Sequence, residues 1–211
     1  MMRNAVLPRD LNKHIGSERK DFAVKAGRAQ PRKNSMGIIL FGSLWTAFTS
    51  IFVIVFLGPL FAGKEVYFES NGVPTVAGPG NLGPILVPAL IIGVFVLIGL
   101  GMLAGGFYSM YRKGGYFVGT PLRLIQYRKG TIRSMDWEQF TGNIEVKANA
   151  RSMKGNLSLE MRTGRMVSRK NGPSRYVPDV IYLSDIPYIL EIERICRRRI
   201  KENDPTPAST A

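Results

Sequence analysis

The sequence predicts an α+β membrane protein, a two-helix transmembrane hairpin followed by a small antiparallel β-barrel or roll with a C-terminal helix. Three observations lead there. Residues 36–62 and 84–111 contain no Asp, Glu, Lys or Arg, although the 211-residue chain carries 29 Lys+Arg and 15 Asp+Glu. Between 116 and 183, short runs alternate apolar with polar side chains, the period-2 signature of half-buried strands. Ile186, Ile189, Leu190, Ile192, Ile195, Cys196 and Ile200 then recur mainly at three- and four-residue spacing, as one buried helical face requires. The mean hydropathy of the whole chain is close to zero only because these segregated parts cancel.

Residues 1–35 form a basic cytoplasmic N-terminal segment, with nine Lys+Arg against three Asp+Glu. The first span, 36–62, and the second, 84–111, both exceed the roughly 20 apolar residues needed to cross about 30 Å of hydrocarbon at 1.5 Å per residue. Ile51-Phe-Val-Ile-Val-Phe-Leu57 and Leu90-Ile-Ile-Gly-Val-Phe-Val-Leu-Ile98 are apolar on every side, which a soluble protein of this size cannot bury. Pro84 and Pro88 lie at the start of the second span, where missing amide donors cost least. The Gly- and Pro-rich loop at 63–83 holds Lys64 against Glu65 and Glu69. Arg32, Lys33, Arg112 and Lys113 flank the spans, and Lys/Arg at span ends stay on the cytoplasmic side. A multi-pass protein of the cytoplasmic (inner) membrane follows, with both termini cytoplasmic and the 63–83 loop outside. With no ionisable residue inside either span, no proton relay or ion pathway is expected in the bilayer. Gly93, Gly101 and Gly105 share one face of the second span, and Gly101-x-x-x-Gly105 is a small-xxx-small pair. Gly42, Thr46, Thr49 and Ser50 make a comparable stripe on the first. These are expected helix-packing residues, for the hairpin against itself or for a homo-oligomer.

The domain at 112–203 opens with Tyr116–Gly119, Leu122–Arg128, Thr131–Met135 and Gly142–Ala148, and continues with Leu157–Arg162 and Val177–Leu183, six short strands separated by turn residues. Strands without intervening helices imply a meander curled into a barrel or orthogonal sandwich. Residues 162–178, basic and carrying Asn171-Gly172-Pro173, read as a loop or a hairpin with a long connection. Ser184 or Asp185 is the expected cap of the final helix, whose first turn tolerates Pro187. The helix ends near Asn203, since Pro205 and Pro207 follow, and 204–211 reads as a disordered tail.

Consecutive antiparallel strands closed by one amphipathic helix, with Thr120-Pro-Leu-Arg123-Leu-Ile125 on an early strand, resemble the bacterial pleckstrin-homology-like (PH-like) domain attached to paired transmembrane helices. The resemblance covers about 112–203 and implies a seven-stranded barrel capped by a helix, membrane-bound and usually not enzymatic. A looser resemblance is to bacterial antiviral effectors that pair two membrane helices with a small cytoplasmic β-barrel sensing a cyclic dinucleotide.

Catalytic ingredients are missing. Gly58-Pro-Leu-Phe-Ala-Gly63-Lys64-Glu65 has Walker spacing but puts Glu where the Mg²⁺-bound hydroxyl belongs. Gly78-Pro-Gly80-Asn-Leu-Gly83 lacks the later acidic ribose ligand, and Gly99-x-Gly101-x-x-Ala104 lies wholly within the second span. The lone His14 and lone Cys196 exclude a Cys/His zinc site and an intramolecular disulfide. Cys196 reads as a small apolar residue, and Asp136 and Glu138 as one solvated strand face. Asn156-Leu-Ser158 is a glycosylation sequon on the wrong side of the membrane. No catalytic residue, cofactor or metal is expected.

The basic residues are the remaining signal. Arg165, Arg169, Lys170 and Arg175 lie beyond the flanks that set topology, and with Arg112 and Lys113 they are the candidate lipid- or partner-binding residues. Held near an anionic leaflet, each is worth on the order of 1 kcal/mol. Nucleic acid is not expected, because aromatics do not interleave with the Lys/Arg. The expected function is a non-enzymatic membrane protein presenting a cytoplasmic binding or scaffold domain to anionic lipid or a protein partner. A nucleotide-gated membrane effector and an accessory subunit of a membrane complex stay open as alternatives.

Overall fold

The computed structural model describes residues 5–70, 72–149, 154–169 and 172–205, and the chain forms two compact units. One is Arg32–Met110; the other joins the chain up to Pro31 with the chain from Tyr111 onward.

Two helices dominate the first unit. Helix α2 (Arg32–Phe52), a π-helical turn (Val53–Leu57) and α3 (Gly58–Phe61) run on as one rod of 30 residues. The π turn precedes Pro59, whose ring cannot pack against an α-helical carbonyl four residues back and whose nitrogen donates nothing. A 3₁₀ turn (Gly83–Ile85) leads into α4 (Leu86–Tyr111), giving a second rod of 29 residues. Both rods are long and apolar enough to cross a membrane. The loop between them is not featureless: β2 (Val66–Ser70) and β3 (Val73–Ala77) pair as a hairpin, and Val66, Ala77 and Ile85 form a small core with Leu57, Leu60 and Phe68.

The two long helices touch at Gly42 and Thr46 of α2, as expected, but on α4 through glycines other than those expected. A Cβ on Gly99 would lie 2.6 Å from Thr46 Oγ1, one on Gly106 2.6 Å from Ile39 Cγ1, and one on Gly42 3.1 Å from Met102 Cβ. Nothing lies within 4 Å of a Cβ on Gly93, Gly101 or Gly105, so the expectation that these three pack the hairpin against itself is corrected. Gly99 and Gly106 are seven residues apart, hence on one side of α4, while Gly101 and Gly105 lie two and six residues beyond Gly99, on the other. Trp45 Nε1 donates to the Phe95 carbonyl at 2.9 Å and its ring stacks on Phe95 at 5.4 Å, clamping the hairpin at mid-length.

The second unit is two antiparallel sheets around one core. The first has the order β1 (Phe22–Lys25), β4 (Tyr116–Gly119), β5 (Arg123–Arg128), β6 (Thr131–Asp136); the second β7 (Phe140–Ala148), β8 (Lys154–Arg169), β9 (Gly172–Pro187). Phe22 and Val24 from one sheet meet Leu157, Leu159 and Leu183 from the other, over Trp137 and Phe140. Helix α5 (Ile189–Glu202) adds Ile189, Ile192, Cys196 and Ile200 to the same core. On the outer face of the first sheet, helix α1 (Arg9–Ile15) lays Leu11 and Ile15 against Ala23, Val118 and Ile125.

The N-terminal segment is therefore part of this domain. β1 pairs with β4 in the register Phe22↔Gly119, and the missing side chain of Gly119 leaves room for the Phe22 ring across the ladder. Asp21 holds Arg199 of α5 through two bonds of 2.7 and 2.9 Å, and Glu18 pairs with Arg123 of β5. The domain boundary expected at 112 becomes a chain interrupted by the hairpin.

The sheets do not close into a barrel. The 3₁₀ turn Trp137–Gln139, anchored by the buried Trp137, carries the chain from one sheet to the other, and between the far edges no ladder forms among the described residues: the isolated bridge Arg28↔Ser184, a Gly27 N–H to Asp185 carbonyl bond and the Arg28–Asp185 ion pair stand there. The helix cap also differs. Ser184 and Asp185 belong to β9, and α5 starts after Tyr188 in a left-handed conformation (φ 54°). The end of α5 at Asn203 is where the prolines place it. Beyond Pro205 the expected tail lies outside the described residues.

Candidate functional site

The basic residues singled out in 162–178 stand on a β ribbon, the hairpin of the two expected alternatives rather than the loop. The ladder to β7 ends at Phe140↔Met161, and β8 and β9 continue without a third strand in the register Gly164↔Pro178, Arg165↔Val177, Met166↔Tyr176, Val167↔Arg175, Arg169↔Gly172. Paired residues share a face and neighbours alternate. One face thus carries Arg165, Val167, Arg175 and Val177, the other Met166 and Tyr176.

Unlike a solvated charge run, this ribbon exposes apolar groups. Met166 is 65% exposed, Tyr176 47%, Val167 40% and Val177 37%. Its base is fixed: Tyr176 Oη donates to the Arg162 carbonyl at 2.6 Å, its ring lies where a Cβ on Gly164 would be (2.7 Å), and Arg162 donates to the Glu138 carbonyl at 3.0 Å and pairs with Asp204 at 2.8 Å. Of the expected residues, Arg165 and Arg175 are exposed on the ribbon, Arg169 occupies its last pair, and Lys170 lies outside the described residues.

Arg112 and Lys113 stand elsewhere. The Arg112 carbonyl accepts the Ala29 N–H at 2.9 Å and Lys113 bridges Arg28, which ties the two ends of the hairpin insertion together. Arg112 also lines a cleft of about 310 Å³ with Gln126, Arg128, Lys129, Thr131 and Arg133. Among the described residues, none of the ribbon lines this cleft.

Cys196 and the Glu18–Arg123 pair serve the fold. Cys196 is fully buried, and burial, with Glu193 and Asp21 nearby, pushes its thiol far above the ordinary range, so it is no nucleophile. The Arg123 guanidinium bonded to Glu18 holds that carboxyl below its ordinary value, with the Thr120 hydroxyl assisting. Asp136 ends β6 and Glu138 sits in the turn around the buried Trp137, whose indole donates to the Thr120 carbonyl at 2.8 Å, so the two acids flank a turn and share no strand face. Among the described residues no cluster of three or more His, Cys, Asp and Glu is placed to hold a metal ion. The chain matches no protein-family model, no curated protein and no solved structure.

Proposed function

We propose that the chain is a two-span membrane protein, both termini cytoplasmic, whose two-sheet domain is a non-enzymatic binding module that docks on an anionic membrane surface through the β8–β9 ribbon. The observation that carries the reading is the ribbon's composition: exposed Met166, Val167, Tyr176 and Val177 interleaved with Arg165 and Arg175. Apolar side chains gain from entering the headgroup boundary, and each arginine near an anionic surface adds about 1 kcal/mol. Kinship with PH-like domains is supported by the sheets of four and three strands and the C-terminal helix. The cytoplasmic side is supported by Arg32, Lys33, Arg112 and Lys113 at the helix ends.

The test uses the whole chain in nanodiscs, with Met166→Cys carrying an environment-sensitive fluorophore; buried Cys196 stays unlabelled. Emission should shift to the blue in phosphatidylglycerol discs relative to phosphatidylcholine discs, and Arg165→Gln/Arg175→Gln should abolish the difference. Equal emission in the two lipids refutes docking.

A further inference from the structure

We propose that the cleft at the β5–β6 hairpin is a binding site for a multiply charged phosphate group, a phosphate monoester or a pyrophosphate. Strand alternation puts Leu124, Gln126 and Arg128 of β5 on one face, and the register Leu124↔Met135, Gln126↔Arg133, Arg128↔Thr131 adds Met135, Arg133 and Thr131 of β6 to it. Leu124 and Met135 are buried in the core between the sheets. The core-facing side of the first sheet thus changes, within one residue pair, from apolar to Gln126, Arg133, Arg128 and Thr131. These polar groups line the cleft, and Arg133 also donates to Sδ of the core residue Met161 at 3.8 Å.

The lining has the donors for phosphate. Arg112, Arg128, Lys129 and Arg133 supply four cations, Thr131 a hydroxyl and Gln126 an amide, and among the described residues no carboxylate lines the cleft. Arg112, Lys129 and Arg133 form no ion pair within 4.0 Å among the described residues. Guanidinium forks bind phosphate oxygens in pairs, and a volume of about 310 Å³ suits a small ligand. Four cations exceed the single charge of a phosphodiester, which is why the geometry points to a monoester or pyrophosphate.

The site is held in place before any ligand arrives. Lys129 (φ 49°) and Gly130 (φ 82°) make the two-residue turn with both φ positive that locks hairpin register, and the Arg112 backbone is bonded to Ala29. Arg112 is also the next residue after Tyr111, the last of the second apolar helix. If that helix spans, as proposed above, a phospholipid headgroup is one source of the phosphate; a soluble phosphate compound is the other. The anion site does not depend on that choice.

The full chain in mild detergent is titrated with inorganic pyrophosphate by calorimetry, and the same protein in nanodiscs mixing phosphatidic acid with phosphatidylcholine is examined by native mass spectrometry for retained lipid. Arg128→Gln/Arg133→Gln should weaken binding about 30-fold, two charges at about 1 kcal/mol each. Protection of Cys196 from thiol reagents shows whether that variant is folded, and Arg112→Gln/Lys129→Gln, at exposed positions, is the second variant. Pyrophosphate binding without lipid enrichment supports a soluble source; phosphatidic acid enrichment displaced by pyrophosphate supports a headgroup. The proposal is overturned if wild type binds neither, or if both double variants bind as wild type does. Arg165→Gln/Arg175→Gln should leave pyrophosphate binding unchanged, so failure here and failure of ribbon docking are separate results.

Discussion

Phe22 precedes the two-helix hairpin, yet truncating it should loosen α5, which begins 167 residues later. Its ring is fully buried among residues of both sheets and lies over Gly119, so Phe22→Ala removes a large aromatic group from a core that cannot collapse around the hole. Such truncations cost 3–5 kcal/mol, and at tenfold per 1.4 kcal/mol a value of about 4 raises the population of opened molecules roughly 1000-fold. The protein holds its own probe. Cys196, the single cysteine, is inaccessible on the core face of α5, and when reclosing outpaces labelling its reaction with a thiol reagent follows the opening equilibrium. In dilute urea, where opening is global, Phe22→Ala should therefore label about 1000 times faster than wild type. Val6→Ala, at a side chain 91% exposed, should not change the rate. A Phe22→Ala rate within about threefold of wild type would mean that β1 is no part of the cooperative core.

Other perturbations probe the remaining joints. Glu18, with its carboxyl pKa depressed by Arg123, stabilises the fold above its unfolded pKa of about 4.3, and that contribution is lost as pH falls through the lower folded value. Glu18→Gln should thus cost about 1 kcal/mol in urea midpoints at neutral pH, with the gap to wild type narrowing in acid; a gap independent of pH contradicts the pairing. Gly99→Leu should separate α2 from α4, at a cost of 1–3 kcal/mol, and abolish disulfide formation between Gly42→Cys and Met102→Cys, whereas Gly101→Leu should leave it intact. Ser70→Cys in intact cells should react with an impermeant thiol reagent; labelling only after permeabilisation would invert the proposed topology. Replacing 32–110 by a short flexible linker should preserve the two-sheet domain, read as Cys196 protection, while residues 112–205 alone, lacking β1 and α1, should leave Cys196 reactive.

What was legible in the sequence was whatever leaves a local period. The two charge-free helices, the strands from Tyr116 to Ala148 and the Ile189/Ile192/Cys196/Ile200 face of α5 all follow from spacing. β1 left no such trace: in Phe22-Ala-Val-Lys25 the first three residues are buried, two toward the inner core and Ala23 toward α1, so nothing alternates. The β8–β9 ribbon was legible only as one of two alternatives: Asn171-Gly172 is a hairpin signal, but neither face of the ribbon is core beyond Met161, so no alternation marks its strands. The same signal, Asn71-Gly72, preceded β3 in the loop between the two long helices. On α4 two glycine faces were available, and periodicity alone does not say which one a partner covers. Of the cleft, only Arg112 stood out; Gln126, Arg128, Thr131 and Arg133 come together through the register that the Lys129-Gly130 turn imposes.

The position of the hairpin in the chain also bears on how the domain forms. Pairing Phe22 with Gly119 closes a loop of 97 residues, and the cost of closure rises as (3/2)RT ln n. Contacts within the hairpin, Gly106 on Ile39 and Gly42 on Met102, are local to it, so a hairpin that packs first brings Arg32 and Tyr111 toward each other. The loop still to be closed then shrinks to 22–31 and 111–119, about 17 residues, and closure becomes easier by about 1.5 kcal/mol. Most of the expense of a non-local strand pair is thereby borne by helices that pack through their own glycines. The Ala29–Arg112 hydrogen bond and the Arg28↔Lys113 bridge then join the two chain segments where they enter and leave the hairpin. On this account a strand of only four residues suffices at the edge of the first sheet because the insertion that separates it from its partner in sequence also returns it in space.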